Sequence, residues 1–389
     1  MALTDVENYT KAIMSQMTDS IAVGSIEIRN RFFRSATNEY LANDATGASS
    51  TAMREMYLDL AEGGIGLIVT GQTYIERVGR SGRFTSGIDT NQHIAAWRDT
   101  IAPAQEAGAR VFVQLNHCGA AGFSNANPNP ISPSGLKILD RLSPSTAMTP
   151  DEIERVVGAF GSAAARALEA GFDGVQIHGC HGFLVTQFLT PGMNNRTDEW
   201  GGDPSKRMEF LRRVIREIRV SVGTSYPVWI KLGIGGGADM GPSVEEGLYT
   251  ALMCRDEGID CIEVAHGYGV PEGYDSKAVL WFLPILHRVR EIVGAGYPIA
   301  AVDRFGDLPT MNRVLENELS QMVGMCRPLI AEPDLPQKLM DGEVEAAVCA
   351  RCNRCRPKEH EVGVTCRNDS VQKKLGRNRP QRIPGRRSL

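Results

Sequence analysis

Four of the nine cysteines in this chain lie in one short stretch, CARCNRCRPKEHEVGVTC. They are Cys349, Cys352, Cys355 and Cys366, so the spacing is C-x2-C-x2-C-x10-C. Three thiolates separated by two residues, with a more distant fourth, are typical of the ligands of one [4Fe–4S] cluster. Zinc sites more often use two separated C-x2-C pairs, and free thiols are the remaining alternative. The pattern therefore favours an iron–sulfur site over zinc.

Two histidines three residues apart follow a predicted strand in the stretch GVQIHGCHGF. His178 lies at the carboxyl end of that strand, and His181 lies in the loop after it. Two imidazoles at such a place can both donate hydrogen bonds to one carbonyl oxygen and stabilise negative charge that develops there. A lone histidine is more often structural, but a pair favours catalysis. Zinc binding is the weaker alternative, because the sequence shows neither HExxH spacing nor an obvious third ligand.

Three further side chains lie near predicted strand ends, and each allows more than one interpretation. Gln114 offers a donor and an acceptor to the edge of a heterocycle, or it caps a loop. Lys231, in VWIKLG, is a Schiff-base nucleophile, a cation that fixes an anionic ring, or a salt-bridged structural residue. Arg327, in RPLIAEPDLP, binds a phosphate or forms a surface ion pair with Glu332 or Asp334.

Regular elements must position these residues, and the chain alternates short apolar runs with helical stretches. Strands are predicted at Phe33–Asn38, Gly66–Thr70, Val111–Leu115, Gly174–His178, Val228–Leu232, Cys261–Ala265, Ile299–Val302 and Met322–Met325. Most are apolar throughout, as in strands of a buried parallel sheet. Eight β/α units in series predict an α/β fold, a (β/α)8 TIM barrel with a C-terminal cysteine-cluster extension. A doubly wound open sheet is the rival, but it usually has fewer strands per domain.

The segments between the strands give further expectations. A helix is predicted over Ser205–Val220, where the apolar residues form one stripe, and Thr149 is predicted to cap another helix. Residues Ser25–Phe32 would form a small hairpin over the barrel floor. Two long loops, residues 116–145 and 179–204, would follow the carboxyl ends of strands, which is the active-site face of this fold.

Composition limits the function classes that the chain can belong to. Of its 389 residues, 42% are hydrophobic and 23% are charged, which is typical of globular proteins. No acid occurs after Asp369 although the stretch is basic, so the rest of the chain is more acidic than the net charge of -4 indicates. An acidic body argues against nucleic acid as the partner. The absence of a long apolar run and of a signal peptide, with an odd number of cysteines, predicts a cytoplasmic protein without a membrane span.

Several stretches resemble the old yellow enzyme family of FMN-dependent oxidoreductases, over about residues 20–340. They are IRNRFFRSATNEY, AEGGIGLIVTGQ, VFVQLNHCG, GFDGVQIHGCHGFLVTQFLTPGMNNRTDEWGGD and GMCRPLIAEPDLP. The cysteine stretch is similar to the branch of 2,4-dienoyl-CoA reductase and trimethylamine dehydrogenase, whose barrels carry FMN and a [4Fe–4S] cluster. The expected parts are an FMN-binding TIM barrel (residues 1–340), a cysteine-rich iron–sulfur segment (341–370) and a basic, mobile tail (371–389).

The resemblance also implies where FMN would lie, which is on the C-terminal face of the barrel. Gln114 would bond to the pyrimidine edge, and Lys231 would stand beside N1 and O2 of the ring. The other implied contacts are Ala36, Thr37 and Gly71 for the ring, and Met325, Cys326 and Arg327 for the phosphate. His178 and His181 would bind the substrate's oxygen while a hydride passes from flavin N5 to the β-carbon of an activated alkene. NAD(P)H is the implied reductant.

Some positions depart from the pattern of the family. Phe183 stands where many ene-reductases have a tyrosine that donates the second proton. Another acid must then serve, for which the candidates are Tyr40, Tyr74, Tyr268 and water, or the reaction is not alkene reduction. Asp303 and Arg304 replace the usual Gly-Gly phosphate turn, and Arg304 would add a cation for the phosphate. The second spacer between the cysteines has two residues where the branch typically has three.

The favoured function is FMN-dependent reduction of an α,β-unsaturated carbonyl compound or thioester. The cluster would relay single electrons between FMN and an electron-transfer protein or subunit. Oxidative demethylation of a methylamine-like substrate is the alternative within this class. A barrel lyase with Lys231 as its Schiff base, and a non-enzymatic metal-binding module, are the alternatives outside it. A small-molecule substrate and a homo-oligomeric assembly are expected.

Overall fold

Eight parallel strands form a closed barrel in which every strand pairs with its neighbours in chain order. The computed structural model describes residues 16–136, 144–237, 241–271, 273–275, 280–358 and 361–377. The barrel strands are β1 (Phe32–Arg34), β2 (Leu67–Tyr74), β3 (Arg110–Asn116), β4 (Gly174–Gly179), β5 (Val228–Gly233), β6 (Cys261–Ala265), β7 (Ile299–Val302) and β8 (Met322–Met325). All eight predicted strands are present, so the predicted (β/α)8 barrel is confirmed.

Helices surround the barrel and alternate with its strands. Those of the described residues are Thr51–Glu62, Gln92–Glu106, Pro150–Ala170, Leu184–Leu189, Pro204–Arg207, Glu209–Val222, Val244–Asp256, Leu283–Val293, Leu308–Leu315, Arg327–Ala331, Leu335–Met340 and Asp369–Lys374. Thr149 caps the third of these as predicted, with its side chain accepting from the backbone of Glu152. The single helix predicted over Ser205–Val220 is instead two helices that meet at Met208. Among the described residues, no helix could cross a membrane.

Apolar side chains fill the amino-terminal half of the barrel. The rings of Phe112 and Trp229 pack with their centroids 5.1 Å apart, and Gly174 leaves the space that Phe112 occupies. An antiparallel hairpin, Ile21–Val23 with Ile26–Ile28, packs on this cluster through Val23 and Ile28. The expected hairpin on the barrel floor is therefore present, and the polar chemistry is left to the opposite end.

The cysteine segment, residues 341–370, runs along the carboxyl-terminal face of the barrel. The backbone of Ala347 donates to Gly306 after β7, and the backbone of Gly363 donates to Tyr40 after β1. The first residues of the tail that was predicted to be mobile, residues 371–389, are ordered against the barrel, because Asp369–Lys374 form a helix whose Val371 is buried. The rest of the predicted tail, from residue 378, lies outside the described residues. The cysteines are thus held against the face where the predicted site residues lie.

Candidate active site

A continuous polar network crosses the carboxyl-terminal half of the barrel, just above the apolar filling. The amide of Gln114 on β3 donates to the side chain of Gln176 on β4 over 2.8 Å, and Gln176 donates to Glu263 on β6 over 2.8 Å. The hydroxyl of Ser35 donates to Glu263 and accepts from Lys231 on β5, over 2.5 and 2.7 Å. All five side chains are buried. The barrel therefore fixes Lys231 and Gln114 in one rigid layer.

The amine of Lys231 lies 3.0 Å from the carboxylate of Glu263, which is completely buried. Burial alone would lower the pKa of Lys231, but the adjacent carboxylate outweighs it and raises that pKa above its usual value. The lysine therefore keeps its proton at neutral pH. A Schiff-base nucleophile must be a neutral amine, so the arrangement favours the two cationic interpretations of Lys231.

The two predicted histidines lie together at the end of β4. The Nε2 atom of His178 is 3.5 Å from Nδ1 of His181, and the ring of Phe183 packs 4.6 Å from that of His178. Burial, and then the charge of Lys231, lower the pKa of His178 to about 3 and that of His181 well below its usual value. Both imidazoles are therefore neutral at pH 7. Neutral imidazoles can donate a hydrogen bond without carrying charge into a buried site.

Cys180 is a neighbour of these histidines that the sequence interpretation did not use. Its sulfur lies 3.3 Å from Nδ1 of His181. His178, Cys180 and His181 could together hold a metal ion, because their ligand atoms all lie within 4.8 Å of one another. In the described part of the chain, no other group of three His, Cys, Asp or Glu residues does so. Cys180 thus supplies the third ligand atom that the sequence interpretation lacked for zinc. Burial raises the pKa of its thiol, and a bound zinc ion would remove that proton.

A cavity of about 370 Å³ opens at the carboxyl-terminal face beside β5 to β8. Seven of the predicted site residues line it: Ala36, His181, Lys231, Asp303, Arg304, Cys326 and Arg327. Five others do not line it: Thr37, Gly71, Gln114, His178 and Met325. The sequence interpretation missed His266, Trp281 and Arg351, which also form its walls. His266 packs on His181 with ring centroids 5.1 Å apart, so the histidine cluster has a third member.

The chemistry of the cavity fits an FMN molecule. Arg304, Arg327 and Arg351 are three guanidinium groups around one end, as a phosphate needs, while Lys231 supplies a cation deeper in the barrel. Asp303 is the exception, because its carboxylate would oppose a phosphate. Its buried Oδ2 has no hydrogen-bond partner among the described residues. Burial raises the pKa of Asp303 to about 6, which reduces that opposition in weakly acidic solution.

Gly71 and Thr37, two of the residues implied to contact the flavin ring, also form hydrogen bonds within the protein. The backbone of Gly71 donates to Glu39 over 2.7 Å, and a Cβ at Gly71 would collide with that carboxylate. Glu39 also accepts from the hydroxyl of Tyr57 and pairs with Arg34, at 2.8 and 3.2 Å. The carbonyl of Thr37 accepts from Arg34. These bonds account for the early end of β1 at Arg34, and contact of Gly71 and Thr37 with FMN stays a prediction.

The three tyrosines proposed as replacements for the missing acid lie in different places. The hydroxyl of Tyr74 donates to the carbonyl of Thr46 and accepts from Arg77, over 3.1 and 2.8 Å, so it is fixed away from the cavity. Tyr40 lines a different cavity. The ring of Tyr268 packs so closely on Gly182 that a Cβ there would lie 2.8 Å from it. Of these three tyrosines, Tyr268 is therefore the one next to the loop that carries His181.

The four clustered cysteines line one small cavity of about 20 Å³. Arg351 and Asn353, in the two short spacers, have left-handed φ values of 54° and 59°, which turns the chain around this cavity. The amide of Asn368 donates to the sulfur of Cys352 over 3.2 Å. Arg327 lines both this cavity and the larger one, and it donates to Asn353 over 2.8 Å. Arg351 also lines both cavities, so two arginines lie between the two predicted cofactor sites.

Known proteins share this barrel over most of its length. The family described as NADH:flavin oxidoreductase / NADH oxidase matches residues 17–345. NADH oxidase of Thermoanaerobacter brockii is 28% identical over 349 residues, which are 85% of this chain and 52% of that protein. Cinnamate reductase of Clostridium sporogenes is 28% identical over 86% of this chain and 54% of its own length. The chain therefore spans about half the length of these two relatives.

Other similar proteins are matched over nearly their whole length. NADPH dehydrogenase of Halalkalibacterium halodurans is 27% identical over 83% of this chain and 93% of its own. A solved complex of 2-naphthoyl-CoA reductase with 2-naphthoyl-CoA has a TM-score of 0.82 and 25% identity, over 88% of this chain and 55% of that one. An old yellow enzyme homologue from Zymomonas mobilis shares the fold, with a TM-score of 0.75 and 24% identity, over 86% of this chain and 95% of its own. Because the family match covers residues 17–345, most of the chain, it shows that this closed barrel belongs to the NADH:flavin oxidoreductase / NADH oxidase family.

Proposed function

We propose that this protein reduces an activated C=C bond, in an α,β-unsaturated carbonyl compound or thioester, with NAD(P)H as the source of electrons. The observation that carries the proposal is a pair of neutral imidazoles near the protonated Lys231: His178, which is buried, and His181, which is half-buried and lines the cavity. When bound, FMN supplies the hydride that the β-carbon accepts. The relatives named cinnamate reductase and 2-naphthoyl-CoA reductase support a conjugated substrate.

The histidine pair would bind the carbonyl oxygen of the substrate. Each neutral imidazole has one N–H to donate, and the buried Nδ1 of His178 has no partner among the described residues. Hydrogen bonds aimed at an oxygen that gains negative charge lower the barrier, by about 3–4 kcal/mol for one such donor. Since His178 packs against Phe183 and His181 contacts the sulfur of Cys180, little reorganisation is needed when the charge develops.

The polar layer would hold FMN at the N1–O2 edge of its ring, and the arginines would hold it at its phosphate. Lys231, held by Glu263 and Ser35, keeps a fixed positive charge for the N1–O2 edge of the ring. Arg304 and Arg327 would bind the phosphate. A cation beside the ring stabilises its anionic reduced form, which favours acceptance of hydride from NAD(P)H.

Phe183 cannot donate the second proton, and we propose that Tyr268 does so. Its ring packs against Gly182, next to His181, whereas the hydroxyl of Tyr74 is already bonded on the far side. The proton donor would then be a tyrosine in the loop after β6, whereas in many ene-reductases it is a tyrosine in the loop after β4. Tyr268→Phe should slow product formation and leave the rate of FMN reduction by NAD(P)H unchanged.

We propose that Cys349, Cys352, Cys355 and Cys366 hold a [4Fe–4S] cluster that relays electrons between FMN and an external protein or subunit. Their shared cavity, and the left-handed turns in both short spacers, support one compact site. Three cysteines at two-residue spacing with a more distant fourth also favour a cluster over zinc, which more often uses two separated C-x2-C pairs.

The other candidate functions have less support. Demethylation of a methylamine-like substrate would bring an ammonium group toward Lys231 and the three arginines of the cavity, whose like charge opposes it. A Schiff-base lyase would need Lys231 without its proton, which the contact with Glu263 opposes. A homo-oligomeric state and a cytoplasmic location stay predictions.

Cofactor analysis of anaerobically purified protein tests the proposal at its base. We expect a yellow-brown protein that releases FMN on denaturation and contains iron and sulfide in equal amounts without zinc. A yellow protein with zinc in place of iron would overturn the cluster assignment alone. A colourless protein that forms a borohydride-trapped adduct at Lys231 would overturn the whole proposal.

A further inference from the structure

A second cavity of about 390 Å³ lies on the carboxyl-terminal face and shares no lining residue with the flavin cavity. The loops that follow β1, β2 and β3 form three of its walls, and the cysteine segment forms the fourth. Its volume falls in the range of small-molecule sites. The proposed function assigns no ligand to this second cavity.

Three aromatic rings, those of Tyr40, Phe84 and Phe123, line the cavity. Tyr40 and Phe84 have φ values of 53° and 56°, in the left-handed region that bulky side chains rarely adopt. Both are held there by backbone bonds, from Gly363 to the carbonyl of Tyr40 and from Ala42 to that of Phe84, at 2.8 and 3.2 Å. Such conformations persist where the surrounding structure enforces them, and they concentrate at functional sites. The surrounding structure thus holds the backbones of Tyr40 and Phe84 at the edge of the cavity that their side chains line.

Three cations surround these rings. The guanidinium of Arg83 lies 4.9 Å from the centre of the Phe84 ring and 2.7 Å from Asp44, so its position is fixed. Arg356 and Lys358 line the opposite wall, and neither side chain forms an ion pair within the described residues. Among the residues that the structure describes, one carboxylate lines the cavity, that of Glu361, and it is paired with Arg367 at 2.9 Å. The cavity therefore has excess positive charge beside flat apolar surfaces.

We propose that this second cavity binds the phosphoadenosine part of a reactant, with Tyr40, Phe84 and Phe123 against the base and Arg356 and Lys358 on the phosphates. Aromatic faces stack on nucleobases, and clustered cations with few carboxylates select phosphate groups. The inference rests on the proposed function and deepens it. Two reactants of that function carry this group, namely a CoA thioester as substrate and NADPH as reductant, and they differ in which ribose hydroxyl is phosphorylated.

Calorimetry on the purified holoprotein separates these two sources. The probes are adenosine 3′,5′-bisphosphate, which is the CoA fragment, and adenosine 2′,5′-bisphosphate, which is the NADPH fragment. We expect one of them to bind, and Arg356→Ala with Lys358→Ala to raise its dissociation constant about tenfold or more, because two charged contacts are lost. The matched control is Arg354→Ala with Lys373→Ala, which removes equal charge from exposed positions of the same C-terminal region outside the cavity.

The outcomes are decisive in both directions. The site is supported if the first double variant weakens binding and the control double variant does not. The fragment that binds more tightly then identifies the reactant as a CoA thioester or as NADPH. If neither fragment binds, or if both double variants behave alike, the inference is wrong. The proposed function is scored separately, by reduction of 2-cyclohexenone by the unmodified protein with dithionite as reductant, because neither reagent carries a nucleotide.

Discussion

The pair formed by Lys231 and Glu263 provides the most quantitative test of the polar layer. Two unit charges 3.0 Å apart attract each other by about 5 kcal/mol at an effective dielectric constant of about 20. Glu263→Gln removes that attraction but keeps the shape, and it leaves Lys231 as a buried charge with only neutral partners. Breaking a buried pair in this way typically costs about 3–5 kcal/mol. We therefore expect the free energy of unfolding of Glu263→Gln to fall by about that amount.

The free energy of unfolding should also change with pH in opposite directions in the parent protein and in Glu263→Gln. In the parent protein the folded state raises the pKa of Lys231, so the stabilisation is complete below the unfolded value of about 10.4 and is lost at higher pH. In Glu263→Gln only burial acts, the folded pKa falls below the unfolded one, and stability rises with pH toward 10. Urea denaturation between pH 7 and 10 measures both effects. Glu343→Gln, at an exposed position, is the control. The reasoning is refuted if the variant, this control and the parent protein have the same free energy of unfolding and the same change of it with pH.

Three further predictions address the other parts of the site. Cys352→Ser should abolish bound iron and leave the barrel folded, while Cys254→Ser, at a buried cysteine outside the segment, should retain it; stoichiometric iron in Cys352→Ser would contradict the ligand assignment. His181→Ala should lower kcat for alkene reduction about 10²–10³-fold at unchanged FMN content, and an unchanged kcat would remove its role. Because burial raises the pKa of Asp303 to about 6, its carboxylate ionises above that pH and repels phosphate. Asp303→Asn should therefore retain FMN more tightly than the parent protein at pH 7 and about equally at pH 5, and identical profiles of the two proteins would exclude this effect.

The strands could be predicted from the sequence because a buried parallel strand is apolar on both faces, and eight such runs are separated by helices. The positions of His178, Lys231 and Arg327 could be predicted for a related reason. Polar residues at the end of an apolar strand must lie on one face of the barrel once the barrel is closed. The early end of β1 was not predictable, because it depends on the bond from Arg34 to Thr37 and on the distant Glu39 network.

The polar layer itself was not predicted. Glu263 in CIEVA and Gln176 in GVQIHG are single polar residues within apolar strands, and that was the available signal. Their partners depend on which residues face each other across neighbouring strands, as Glu263 faces Lys231 and Gln176 faces Gln114. This register is set by closure of the whole barrel rather than by local pattern. Arg351 was missed for the same reason, since only the fold brings it to the wall of the larger cavity.

The central claim is that electrons pass from NAD(P)H through FMN to a conjugated C=C bond. The direct measurement is an anaerobic one, in which the bound flavin is first reduced by NADPH and then mixed with cinnamoyl-CoA while its visible absorbance is recorded. The account predicts that the flavin spectrum returns to its oxidised form as one equivalent of the saturated thioester appears. A flavin that stays reduced with cinnamoyl-CoA and 2-cyclohexenone, yet is reoxidised by an added one-electron acceptor, would contradict it.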